Sequence, residues 1–123
     1  MATRATYQFK TFGSDKPTVT LYNHHDGYPT GAVQHLEHAL TPEAFIRKNP
    51  SAEIVHGHDA CGDTEYRYTI ERFGKRVTIM VHHRPIGENW THLVYCSAET
   101  FRAKYWNDDH AEAFGNVRDR LAG

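Results

Sequence analysis

The stretch Glu65-Tyr66-Arg67-Tyr68-Thr69-Ile70-Glu71-Arg72-Phe73-Gly74-Lys75-Arg76-Val77-Thr78-Ile79-Met80-Val81-His82-His83 decides the fold. In its first half Tyr66, Tyr68 and Ile70 alternate with Arg67, Thr69 and Glu71. In its second half Val77, Ile79 and Val81 alternate with Thr78, Met80 and His82. A period of two with one apolar set is the mark of a half-buried strand. Phe73-Gly74-Lys75 turns the chain between the two strands. A loop at Arg84-Pro85-Ile86-Gly87 leads to a further alternating run, Trp90 to Cys96. Three consecutive strands with short connections predict an antiparallel meander.

Upstream, residues 4–12 alternate in the same manner, with Tyr7 and Phe9 on one face. Thr18 to Asn23 follows a Gly13–Pro17 turn cluster. These two runs read as a hairpin. The second strand runs straight into His24-His25-Asp26-Gly27-Tyr28-Pro29-Thr30-Gly31. Asp-Gly is a strong turn dipeptide, and Pro29 disfavours a helical Tyr28.

A helix is expected from about Ala32 to Leu40, with Val33, Leu36, Ala39 and Leu40 as its apolar stripe. Thr41-Pro42-Glu43 opens a second helix as N-cap, first-turn proline and first-turn acid. Phe45 and Ile46 are its core residues, and Asn49-Pro50 ends it. Ser51 to Asp63 reads as irregular, with a short strand at Ile54–Val55. Ser97-Ala98-Glu99 caps a helix beginning near Thr100, and Asp109 to Leu121 carries apolar residues at helical spacing. The expectation is one α+β domain over residues 1–123: an antiparallel sheet of about five strands with helices on one face.

Composition narrows the function classes. The chain has 123 residues, enough for one core, and 12% aromatics argue against disorder. Lys and Arg number 14 against 15 Asp and Glu, so the basic balance of a nucleic-acid binder is missing. No apolar run approaches the roughly 18 residues of a membrane span. No signal-peptide core follows Met1, so a cytoplasmic location and two free thiols, Cys61 and Cys96, are expected.

Ten histidines are the anomaly. Protonating all ten would move the formal charge from -1 to +9, mostly between roughly pH 5 and 7.5. His24, His25 and Asp26 stand together at a strand end, where ligand-contacting groups are common. The same residues also make a tight corner, and that structural reading leads. His35 and His38 are spaced for one helix face and read as surface residues. His56-Gly57-His58-Asp59 opens like the H-x-H of the metallo-β-lactamase signature, but the partners required there do not follow. A metal site of His24, Asp26, His56 and His58, holding Zn or Mn, is chemically feasible.

His82 and His83 close the fourth strand and His92 lies in the fifth, all within reach of the His24–His25 turn if the sheet is continuous. Arg67, Arg72, Arg76 and Arg84 form a modest basic set suited to phosphate or to a solvated strand face. Nucleophile-elbow, phosphate-loop, dinucleotide and EF-hand motifs are absent from the sequence.

The string from Leu21 to Gly31, with its His-x-Asp-Gly-Tyr-Pro-x-Gly pattern, resembles a group of small uncharacterised phage and prophage proteins. The Asp63–Ile70 run resembles the tyrosine-rich strand of the same group. The likeness covers between a third and a half of the chain and carries no activity with it. His25 and the Thr41–Pro50 helix have no clear counterpart there. What the resemblance implies is context, because accessory genes of mobile elements often encode proteins that interfere with host defence.

Three readings follow. The leading one is a non-catalytic phage-type protein that blocks a host immune complex or sequesters a small signalling nucleotide. Its contact set is His24, His25, Asp26, Tyr28, Arg67 and Arg84, with no metal or cofactor. The second is a small metal-dependent hydrolase or nuclease using the His24, Asp26, His56 and His58 set. The third is a virion assembly component, which would form a symmetric homo-oligomer.

Overall fold

The computed structural model describes residues 3–13, 18–85 and 87–107. Six strands and three helices follow in the order β1 (Ala5–Thr11), β2 (Val19–Asn23), α1 (Pro29–Leu36), α2 (Pro42–Lys48), β3 (Glu53–Val55), β4 (Tyr66–Phe73), β5 (Arg76–His83), β6 (Thr91–Ser97) and α3 (Ala98–Tyr105). A 3-10 turn at His58–Ala60 lies between β3 and β4. The strands form one sheet in the order β3-β2-β1-β4-β5-β6. The α+β class and the helix-covered face stand as expected.

The sheet is mixed rather than wholly antiparallel. β1 and β4 pair in parallel, with Tyr7 opposite Tyr68 and Phe9 opposite Ile70. The hairpin β1–β2 and the meander β4–β5–β6 are joined through α1, α2 and β3. That long return can bring β4 in beside β1 in β1's own direction. The Ile54–Val55 strand forms, pairs with β2 and closes one edge as the sixth strand.

The core lies on the helical side. Tyr7, Phe9, Leu21, Tyr68, Ile70, Ile79 and Val81 project from the strands. Ala32, Val33, Leu36, Phe45 and Phe101 meet them from the helices. The Tyr7 and Tyr68 rings stack at 4.9 Å and 9°, with Phe45 4.6 Å from Tyr7. Burying each such ring contributes about 1.5–3 kcal/mol, so this register anchors the junction of the two halves.

Thr41 accepts a hydrogen bond from the Ala44 amide, and Ser97 accepts one from Thr100. Both caps thus work as read from the sequence, although α3 begins at Ala98. α1 starts at Pro29, three residues before the expected Ala32. Its N-cap Tyr28 is extended (φ -66°, ψ 157°), which leaves Pro29 free at the first helical position. α1 also ends early, because Glu37 turns extended and His38 sits at φ 57°. The helix expected over Asp109–Leu121, the Ser14–Pro17 part of the expected first turn and Ile86 lie outside the described residues. No helix among the described residues is long and apolar enough to cross a membrane.

Candidate functional site

The turn that opens α1 is held from every side. Asp26 takes φ 53°, and its Oδ1 accepts the Tyr28 hydroxyl at 2.9 Å. The Gly27 amide donates to the Thr3 carbonyl, and the Tyr68 hydroxyl donates to the Gly27 carbonyl. A Cβ on Gly27 would lie 2.8 Å from the Ala5 Cβ and 2.9 Å from the Thr3 carbonyl. One on Gly31 would lie 2.3 Å from the Asp26 carbonyl. The Asp, the Tyr, the Pro and both glycines of the pattern therefore have backbone or packing duties.

The histidines of this segment divide. His25 is exposed, and its carbonyl faces His35 Nε2 at 3.1 Å. His24 sets its ring edge-on to Tyr22 at 4.4 Å and reaches Glu53 at 3.5 Å. His35, expected on the surface, is 4% exposed, with Nδ1 2.7 Å from Asn49 Oδ1. Because α1 stops at Leu36, His35 and His38 share no helix face. His35 instead ties the turn to the end of α2.

The second face of the sheet is covered only in part. The segment from His56 to Thr64 crosses its β1–β2–β4 half. His58 sits between Thr6 (Nδ1 to Oγ1, 2.7 Å) and Thr69 (Nε2 to Oγ1, 3.2 Å). Burial, and then the Arg67 and Lys10 charges, push the His58 pKa down to about 4. Asp63 accepts the Tyr22 hydroxyl at 2.9 Å and pairs with Arg4 at 3.3 Å. Burial and the Asp63 bond raise the Tyr22 phenol.

The β4–β5–β6 half of this face is open. At one end Arg67 and Arg84 both stack on Trp90, with guanidinium carbons 4.0 and 4.5 Å from the ring centroid. Arg67 also pairs with Asp59, and Arg84 donates to the carbonyls of Thr64 and Gly62. Beside Arg67, His82 lies opposite His92, ring edge to ring face, with centroids 5.6 Å apart. Burial, His92 and Arg67 lower the His82 pKa. At the other end Phe73, Arg76, Thr78 and Tyr95 line an open cleft. Phe12, 71% exposed, packs on Phe73 at 4.8 Å, and Tyr95 is 57% exposed.

The expected contact set is therefore split. Arg67 and Arg84 meet on Trp90, whereas His24 stands at the β2–β3 edge and Asp26 and Tyr28 hold the corner. His82 and His92 neighbour each other rather than the turn, and His83 stacks on Tyr66 at 4.5 Å. Arg72 lines a cavity of about 280 Å³ with Phe9 and Pro42 on the helical side, so the basic set spans both faces. His24, Asp26, His56 and His58 do not gather. Among the described residues no group of three or more His, Cys, Asp or Glu is placed to hold a metal. Both ring nitrogens of His58 already face threonine hydroxyls. Cys61 and Cys96 are free thiols.

Trp90, Phe12 and Tyr95 are not among the residues expected to make contacts. The signal was there, since Leu93 and Tyr95 alternate with the core-facing Val94 and Cys96 on an edge strand. Compared with protein-family models, curated proteins and solved structures, the chain matches none.

Proposed function

We propose that the chain is a non-catalytic binding protein whose contact surface is the open β4–β5–β6 half of the sheet. One observation carries this reading: exposed Phe12, Phe73, Leu93 and Tyr95 share a face with the Arg67–Trp90–Arg84 stack. Aromatic and arginine side chains dominate the binding energy of protein interfaces, and clustered exposed apolar groups mark such surfaces. Small ligands instead favour concave sites that bury most of their surface. The most enclosed cavity described, about 280 Å³, lies on the helical side, away from the stack. A protein partner thus fits this face better than a signalling nucleotide.

Charge refines the partner. Arg67 and Asp59 pair with each other here, which leaves Arg76 and Arg84 set against Glu71. The complementary surface is an apolar centre with an acidic rim. In the phage context implied by the turn pattern, that partner is a subunit of a host defence complex, and the chain acts by blocking it in the host cytoplasm.

The test is plating efficiency. Bacterial strains each carrying one defence system are challenged with a restricted phage, with and without the chain. Restored plating in at least one strain, lost on Tyr95→Glu, supports the reading. Failure to restore plating in any strain, or full retention by Tyr95→Glu, contradicts it.

A further inference from the structure

The open face carries a second feature that the binding reading does not use. β5 and β6 are in regular register from Thr78–Ser97 to Val81–Val94 and then shift, so that His82 faces His92. In an unbroken strand His82 would face Leu93, and His92 would point to the helical side with Val94. The extra residue at Leu93 carries His92 onto the open face beside His82. Bulges commonly re-aim a side chain in this way.

The geometry points to a two-imidazole site for a divalent transition ion, built from His82 and His92 on adjacent strands. An imidazole nitrogen lies about 2.0–2.1 Å from zinc, which puts the ring centroid about 3.2 Å from the metal. Two imidazoles sharing a tetrahedral ion then have centroids about 5.2 Å apart. The observed separation is 5.6 Å with the rings edge to face, so an ion fits between them once both rings turn a nitrogen toward it. Imidazole donors suit zinc, nickel and copper rather than magnesium or calcium. Water completes the coordination, because the protein offers two donors and His92 is exposed.

Arg67 is the cation nearest to this pair in the cross-strand row, opposite His82. Its guanidinium is turned onto Trp90 and paired with Asp59, which offsets its charge. Nothing in this site depends on the partner proposed above, and the ion binds the isolated chain.

Calorimetric titration of tag-free protein with ZnCl2, and separately with NiCl2, tests the site. One equivalent binds the wild type. His92→Asn and His82→Asn weaken binding about tenfold or more, and His56→Asn leaves it unchanged. Equal binding by His92→Asn and the wild type overturns the proposal, as does loss on His56→Asn. A second readout needs no variant: Ni2+ broadens amide resonances most strongly at residues 81–83 and 91–93. Broadening centred on His24 and His25 instead overturns it.

Discussion

Tyr68, at the middle of β4, donates its hydroxyl to the carbonyl of Gly27, in the turn before α1. The strand that decides the fold thus holds the corner that gives the sequence its most distinctive string. Burial, reinforced by the neighbouring Tyr7 and Tyr66 phenols, raises the Tyr68 pKa, so the hydroxyl stays a donor at physiological pH.

Tyr68→Phe keeps the ring stacked on Tyr7 and removes that donor. The Gly27 carbonyl loses a buried partner, which costs about 1–3 kcal/mol. Denaturant unfolding should show a lower midpoint with an unchanged slope. An unchanged midpoint would remove the bond from the account of the turn.

The glycines of the corner are ordered by the space around them. Gly27→Ala presses a methyl between the Ala5 Cβ and the Thr3 carbonyl, while Gly31→Ala drives one to within 2.3 Å of the Asp26 carbonyl. Overpacking of this kind costs about 1–3 kcal/mol or more. Gly31→Ala is expected to be the more damaging, with the larger fall in melting temperature. The reverse order would mean that the corner relaxes around Gly31.

His35 and Asn49 form a buried polar pair, and Asn49 Nδ2 also donates to the Phe45 carbonyl at 3.1 Å. Asn49→Ala takes the Oδ1 partner from the buried imidazole, while the Phe45 carbonyl keeps the backbone amide of residue 49. The expected loss is about 2–3 kcal/mol by denaturant unfolding. A loss below about 0.5 kcal/mol would place His35 outside the set of residues that hold the turn to α2.

His58 gives a pH dependence of known sign. Its folded pKa of about 4 lies below the ordinary 6.5, so the unfolded chain binds the extra proton first. Stability from this group is full above about pH 6.5 and is lost as pH falls toward 4. His58→Gln removes the titration, and its stability should fall less steeply across that window than the wild type's. Parallel pH profiles would show that the imidazole is not desolvated.

Much of this architecture was legible because it is local. The alternation in Glu65–Phe73 and Arg76–His83, and the caps at Thr41 and Ser97, depend on neighbours in the chain. The parallel β1–β4 pair was not legible, since it joins strands far apart in sequence and depends on how the helices return the chain. The burial of His35 was hidden by the early end of α1, where His38 takes a left-handed conformation without a glycine to announce it. The facing of His82 and His92 depends on a one-residue bulge at Leu93 that no composition marks. The Asp-Gly-Tyr-Pro corner is distinctive in the sequence because it is hard to build, with Asp26 and Tyr28 bonded to each other.

The open sheet face is the central claim, and site-specific photo-crosslinking tests it most directly. In a strain where the chain restores phage plating, a photoreactive phenylalanine analogue at position 95 should crosslink to a subunit of the defence complex. The same analogue at position 43, on α2, should not. Crosslinking from position 43 with none from position 95 would place the contact surface on the helical side and contradict the account.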